Sequence, residues 1–331
     1  MKGQRLGLRT YIVKKAIYSI ILIFVVITIN FFIFMVRNPV QMLAGGKKLR
    51  QEQIQELYQR FGLLDPLHVR YLKYIQNLLT FQFGYSYRTG QAVSLEISSR
   101  LQNTLTLCLT AEIIAVMIGL ALGVLAAYKR GGIIDTFISG FAVITQGLPV
   151  FWVGMLLLLI FAYNLRWFPP GFSFPPEWAI HGKPENFLVE LAVRLHHLFL
   201  PALALVLLSG GGYVLLTRAS MLEVLSEDYL VTLKAKGIST NKILFKHALK
   251  NASLPIITQV GIAFGLTLSG AMLTETVFQY PGLGMWIWQS IESWDYPALQ
   301  TIFYLVSLCV IAANFLIDII YGIIDPRIRY G

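Results

Sequence analysis

The sequence predicts an all-α, polytopic membrane protein with six transmembrane helices, on three observations. Hydrophobic residues make up 56% of the 331 positions and charged residues 13%, about half the charge that a water-facing domain carries. Mean hydropathy is +0.64. Six apolar windows, each free of Lys and Arg, are long enough for the roughly 20 helical residues that cross a bilayer core. Helix is the expected form because hydrocarbon offers backbone N–H and C=O groups no partner.

The windows follow in order. Ala16–Val36 is too long for the apolar core of a signal peptide and lacks a small-residue cleavage site behind it, so it reads as a retained helix. A long polar segment follows to Asn103, in which Leu49–Phe61 and Val69–Leu79 read as short surface helices. Thr104–Ala127 is the second span and Phe137–Tyr163 the third, the latter broken by Gly147-Leu148-Pro149. Leu198–Thr217, the fourth, carries Pro201 and the run Gly210-Gly211-Gly212. Leu254–Thr276, the fifth, opens on Pro255 and contains Gly261, Gly265 and Gly270. Leu299–Ile323 is the sixth. The breakers have two readings, close helix packing through small residues and kinks lining a solute path. In the second reading Gly147, Pro149, Gly211 and Gly265 line the path. The expected organisation is an N-terminal region 1–103, a five-helix core 104–323 and a tail 324–331.

The formal net charge is +10, which raises the question of nucleic acid. The basic residues sit between apolar runs and not along one face, so cationic loops beside membrane spans are the simpler account. Lys2, Arg5, Arg9, Lys14 and Lys15 before the first span, Lys129 and Arg130 after the second, six between the fourth and fifth, and Arg327 and Arg329 in the tail lie on one side. Against them stand Arg166, Lys183 and Arg194 in the short connections of the other side and nine in the long segment from Arg37 to Asn103, a length that translocates largely regardless of charge. That asymmetry places both termini in the cytoplasm. Trp167, Trp178 and Trp294 stand near span ends, as interfacial aromatics do. Cys108 and Cys309 both lie in apolar runs and read as core residues.

Catalytic motifs are missing. There is no G-x-x-x-x-G-K-[ST], so the chain does not hold ATP by a P-loop, and there is no H-E-x-x-H and no G-x-S-x-G. His196 and His197 are adjacent and point to different faces of a helix, which argues against a shared metal. No cofactor or metal is expected. Two acids lie inside spans, Glu112 and Asp318. Such carboxylates either carry solute or protons or make interhelical contacts, and both readings stay open. The first would make the chain a proton-coupled secondary transporter. An intramembrane enzyme is a third reading, without a motif to carry it.

The segment 221–255 is too polar to span and too patterned for a loose loop. Glu223–Lys236 places Val224, Leu225, Tyr229, Leu230 and Leu233 at helical spacing, with acids early and lysines late as a helix dipole favours. Gly237 ends that helix and Ser239 caps a second one, Asn241–Asn251. Two short helices about a glycine form either a projecting knob or a connector lying on the membrane.

Tyr229-Leu230-Val231-Thr232-Leu233-Lys234-Ala235-Lys236-Gly237, then His247-Ala248-Leu249-Lys250-Asn251-Ala252-Ser253-Leu254-Pro255, resembles the ATPase-docking segment of ABC importer permeases. More narrowly it resembles the oligopeptide/dipeptide permease family. Further matches are Phe83-Gly84-Tyr85-Ser86, Gly147-Leu148-Pro149-Val150-Phe151-Trp152, Arg218-Ala219-Ser220-Met221, Glu275-Thr276-Val277-Phe278, Pro281-Gly282-Leu283-Gly284, Asp295-Tyr296-Pro297 and Asp325-Pro326-Arg327. The segment departs from the general pattern E-A-A-x3-G-x9-I-x-L-P. Val231, Thr232 and Leu233 stand at its first three places, and Pro255 falls 18 residues after Gly237, further than the pattern puts it.

The resemblance implies a type I importer permease (MetI-like) fold that breaks no bond in its solute. It implies a second, homologous permease as partner, two cytoplasmic ATPases that hold the ATP and magnesium, and an extracytoplasmic binding protein. The coupling segment it implies includes Glu227, Tyr229, Thr232, Ala235, Lys236, Gly237, His247, Ala248, Leu249, Asn251 and Pro255. The cargo implied is a peptide, with an oligosaccharide or nickel as alternatives.

Overall fold

The computed structural model describes residues 8–35, 52, 55 and 64–324, and within these the side chains of residues 8, 35, 264–270, 321, 323 and 324 are not described. Leu49–Phe61, expected as a helix, lies outside the described residues apart from 52 and 55. Among the described residues the regular structure is helical, with one isolated antiparallel bridge between Tyr85 and Ala92. The chain divides into two compact units, one holding residues up to 102 and from 286 onward, the other residues 103–285.

In the first unit, α1 (Leu8–Met35) is wrapped by apolar side chains that face outward, among them Ile17, Ile21, Phe24 and Ile33. An outward apolar girdle is stable only against lipid. α2 (Leu67–Leu79) leans on α1, with Phe31 edge-on to Tyr71. The Asn30 amide donates to the Tyr74 hydroxyl at 2.9 Å. The next helix, α3 (Val93–Tyr128), has 36 residues and begins in this unit.

Residues 103–128 of α3 belong to the second unit. There Gly131-Gly132 turns the chain into α4 (Ile133–Gly147), followed by α5 (Val150–Leu157) and a wider π-helical turn, Leu158–Asn164. The expected third span is therefore not one rod. Leu148 takes an extended conformation before Pro149, as residues preceding proline do, and the two arms meet at 103°. Each arm has 15 residues, which is about 22 Å at 1.5 Å per residue, short of a bilayer core of about 30 Å.

α6 (Phe187–Leu225) has 39 residues and is capped by the Asn186 side chain, which accepts from Leu188 N–H. It is the most buried of the long apolar helices. Leu200, Ala204, Leu205 and Tyr213 on it pack with Leu107, Ala111 and Ala115 of α3. The short helix α7 (Asp228–Ala235) and a turn at Thr240–Lys242 lead through a π-helical stretch, Ile243–Ala248, into α8 (Leu249–Val277). α9 (Leu283–Glu292) starts in this unit and ends in the first.

Back in the first unit, α10 (Tyr296–Ile324) lies along α1. The Asn30 amide donates to the Gln300 carbonyl at 2.8 Å, and the Phe34 ring meets Tyr296 edge-on and Phe303 at a tilt. Lys15 and Asp318 pair at 2.9 Å with both side chains about one third exposed. Ion pairs that remain this exposed near helix ends contribute about 0–1 kcal/mol. Lys15→Met is expected to leave the thermal midpoint of the detergent-solubilised protein nearly unchanged, read by a scanning melt. Asp295, fully buried, accepts from the Ser86 hydroxyl, from Tyr87 N–H at 3.0 Å and from Arg88 N–H at 3.4 Å, and caps α10 through Ala298 N–H at 3.4 Å.

Four described helices, α1, α3, α6 and α10, are long and apolar enough to cross a membrane, and the bent α4–α5 pair makes a fifth. The remaining expected window lies within α8, a helix of 29 residues.

Candidate functional site

The segment 221–255 folds back on the ends of the two longest helices. Met221 at the end of α6 and Val124 and Ala127 at the end of α3 form a buried apolar floor with Leu230, Ile243, Leu244, Ala248 and Ala252. Two details differ from the expected helices. Residues 223–236 do not form one helix: the Ser226 hydroxyl donates to the Glu223 carbonyl at 2.6 Å, a local bond that competes with the helical ladder, and α7 starts afresh after Glu227. The second helix does not stop at Asn251 but runs on into α8. Ser239 occupies the expected N-cap position, yet its side chain makes no cap bond, and its carbonyl instead accepts Ile243 N–H at 3.0 Å.

Gly237 ends α7 as expected, in the left-handed region with φ of 74°. Its N–H donates to the Lys234 carbonyl at 2.9 Å, and Ile238 N–H donates to the Leu233 carbonyl at 3.3 Å. That pair of bonds is a Schellman stop. Ile238 and Leu233 both pack against the same apolar floor, supplying the hydrophobic contact that accompanies it.

Of the coupling-segment residues, the fold brings Tyr229, His247 and Asn251 together. The Asn251 amide donates to the Tyr229 hydroxyl at 2.9 Å, and that hydroxyl lies 3.5 Å from the His247 carbonyl. Ala248 is part of the floor, Leu249 is half-buried, and Glu227, Thr232, Ala235, Lys236 and Pro255 are exposed. The outer surface carries apolar groups as well as lysines: Val231 is 65% exposed and Phe245 57%, beside Lys234, Lys242 and Lys246. A face so composed suits contact with another protein better than water alone.

The path residues separate. Gly147 and Pro149 are exposed at the bend, and a Cβ on Gly147 would meet nothing within 4 Å. Gly211 is buried where α6 touches α4, and a Cβ there would collide with the Ala142 carbonyl oxygen. Gly265 lies in α8 within the stretch whose side chains are not described.

Both intramembrane acids have partners. Glu112, almost fully buried, accepts from the Tyr213 hydroxyl, and Asp318 holds Lys15. The two histidines diverge, His196 to the Trp167 carbonyl and His197 to the Gly171 carbonyl, each at 2.8 Å.

Three arrangements were not read from the sequence. Gly119 and Gly123 of α3 lie against α6, where a Cβ on Gly119 would collide with Tyr213 and one on Gly123 would stand 2.5 Å from Thr217 Cβ. Their G-x-x-x-G spacing in an apolar helix was the available signal. Glu275, fully buried, accepts from the Thr104 hydroxyl at 2.6 Å and from Met285 N–H at 2.9 Å, while Thr104 Oγ1 accepts Leu283 N–H at 2.8 Å. Together they cap the first turn of α9, and Gly282 leaves the room: a Cβ there would collide with the carboxylate. Asp135 of α4, the third, binds Arg218 of α6 through Nε at 2.5 Å and Nη2 at 2.8 Å.

The chain matches the family described as "Binding-protein-dependent transport system inner membrane component" over residues 119–330, and its N-terminal companion, "Binding-prot-dependent transport system membrane comp, N-term", over residues 8–108. It is 36% identical over 302 residues, 88% of this chain and 90% of the relative, to the di/tripeptide transport system permease protein of Pseudomonas aeruginosa (strain UCBPP-PA14). It is 36% identical to the oligopeptide transport system permease protein of Bacillus subtilis (strain 168), over 97% of this chain and 99% of the relative. With the glutathione transport system permease protein of Salmonella paratyphi A (strain ATCC 9150 / SARB42) the identity is 35%, again over 97% and 99%.

Proposed function

The chain belongs to the binding-protein-dependent transport system inner membrane component family, a multi-pass permease subunit of an ABC importer and not an enzyme, and from that premise we propose that it carries di- and oligopeptides. The relatives named for peptides and for glutathione, itself a tripeptide, support a peptide cargo over an oligosaccharide or nickel. The family membership and the partnered state of Glu112 and Asp318 leave the secondary-transporter reading without support.

The knob 221–255 is the grip of a cytoplasmic ATPase, and two such ATPases serve a pair of homologous permeases. Both chain termini and the knob face the cytoplasm, and the long segment before Asn103 faces the binding protein. Closure of the ATPases on ATP swings the helices rooted in the knob, and peptide passes along the bend at Gly147 and Pro149 and past Gly265, while Gly211, buried against Ala142, packs α6 on α4 instead of lining that route. The observation that carries this reading is the knob's two-sidedness: one face sealed onto α3 and α6, the other exposing Val231 and Phe245 among lysines.

The test is reconstitution with the binding protein, the second permease and the ATPases in proteoliposomes, with labelled dipeptides, tripeptides, glutathione, maltotriose and nickel offered in turn. Peptide uptake that needs ATP is expected; uptake of sugar or nickel alone would overturn the cargo, and uptake without ATP the whole scheme. Gly237→Val forces a β-branched residue into the left-handed region, where even ordinary residues cost roughly 1–2 kcal/mol. It is expected to lower solute-stimulated ATP hydrolysis several-fold while basal membrane insertion persists. Unchanged stimulation would remove the knob from the coupling route.

A further inference from the structure

We propose that Asp135 and Arg218 form the positioning clasp through which movement of the knob reaches the bent helix pair, so that breaking it uncouples ATP hydrolysis from transport. The inference rests on the knob being the ATPase grip.

The carboxylate of Asp135 is a junction of three elements. Oδ1 accepts from Arg218 Nε at 2.5 Å and from the Ser139 hydroxyl at 3.1 Å. Oδ2 accepts from Arg218 Nη2 at 2.8 Å and from Gly131 N–H at 2.9 Å. Arg218 stands three residues before Met221, whose side chain is sealed in the knob's floor. Gly131 stands in the turn just beyond Val124 and Ala127, the α3 residues of that floor. The end of α6, where the knob begins, and the turn after α3, on whose last residues the knob rests, are thus bonded to the first turn of α4 by one side chain that is itself buried. A forked guanidinium–carboxylate pair fixes orientation as well as distance, which a single Lys contact does not.

From the clasp onward α4 and α6 move as one body. Gly211 touches Ala142, seven residues from the clasp on each helix: 218 to 211 on α6 and 135 to 142 on α4. Two fixed points about 10 Å apart on antiparallel helices leave no freedom to slide. α4 then ends at Gly147, where the chain bends by 103°. The clasp is accordingly at the knob end of a short two-helix lever whose other end is the bend. Packing at Gly211 alone would keep the helices in contact but would let α4 pivot about that point, so that a displaced knob would no longer set the angle at the bend.

The experiment compares Arg218→Gln, Asp135→Asn, the double variant and Arg218→Lys in the reconstituted complex, with the labelled peptide that the unaltered complex takes up best. Peptide imported per ATP hydrolysed is measured, and the melting temperature of each complex alongside it. Each single neutralisation is expected to lower peptide per ATP about tenfold while hydrolysis continues, the double variant to fall no further than the singles, and Arg218→Lys to recover part of the ratio. An unchanged ratio, or hydrolysis and uptake that fall together with the melting temperature, would make the pair a brace only and overturn the proposal. Hydrolysis in the complex that is indifferent to Gly237→Val would instead overturn the reading of the knob, and the clasp's role with it.

Discussion

Glu275→Ala is expected to lose about 3 kcal/mol or more of folding stability and to leave little permease in the membrane fraction. The carboxylate accepts two donors that have no water to turn to, the Thr104 hydroxyl and Met285 N–H. Each donor orphaned in a buried setting costs about 1–3 kcal/mol, and the removed side chain leaves a cavity beside Gly282. Glu275→Gln should be milder, since one acceptor oxygen survives. A paired change separates this account from general fragility. Gly282→Ala alone should be as harmful as Glu275→Ala, because its Cβ collides with the carboxylate. In the Glu275→Ala background the same methyl enters space already vacated, so the two effects should not add. Additive losses, measured as folded yield and thermal midpoint in detergent, would show that the capping contact is not what holds this corner.

Gly119→Leu has the next largest effect, a loss of about 3 kcal/mol or more. Its Cβ would collide with Tyr213 Cβ and stand 3.1 Å from the Tyr213 carbonyl carbon. Main chain cannot swing aside as a side-chain tip does, so α3 and α6 must separate along their length. That separation also draws Tyr213 away from Glu112, leaving a carboxylate in an apolar core without its donor. Gly140→Leu is the control: the position lies in an apolar helix too, but a Cβ there would meet nothing within 4 Å. Equal damage at both positions would show that leucine harms the protein through insertion into the membrane and not through helix separation.

The parts of the molecule that the sequence revealed were those set by local chemistry or by the lipid. Span lengths follow from bilayer thickness, so the windows for α1, α3, α6 and α10 could be read directly. The stop at Gly237 needs only residues 233–238, all adjacent. What stayed hidden joins distant residues. Asp135 and Arg218 are 83 positions apart, Thr104 and Glu275 171, Ser86 and Asp295 209, and nothing in either member of a pair names the other. The acids at 275 and 295 stand within motifs legible in the sequence, but their capping work is a property of the fold. The bend after Gly147 was legible as a breaker and not as an angle. The interruption at Ser226 was missed because apolar spacing continues across it, while the hydroxyl that breaks the ladder leaves no periodic trace.

The sealed inner face of the segment about Gly237 has one more consequence. Because Leu230, Ile243, Leu244 and Ala248 already lie against α3 and α6, this protrusion is pre-organised before any visitor arrives. Its chain entropy is surrendered during folding and not at the encounter, so a modest contact area suffices for useful affinity. Rigid surfaces of this sort meet by simple collision, and lifetimes of the resulting complexes are then governed by the rate of escape. On the proposed reading of that segment as the motor's grip, the motor is exchanged on the finished pore without the pore itself melting or refolding.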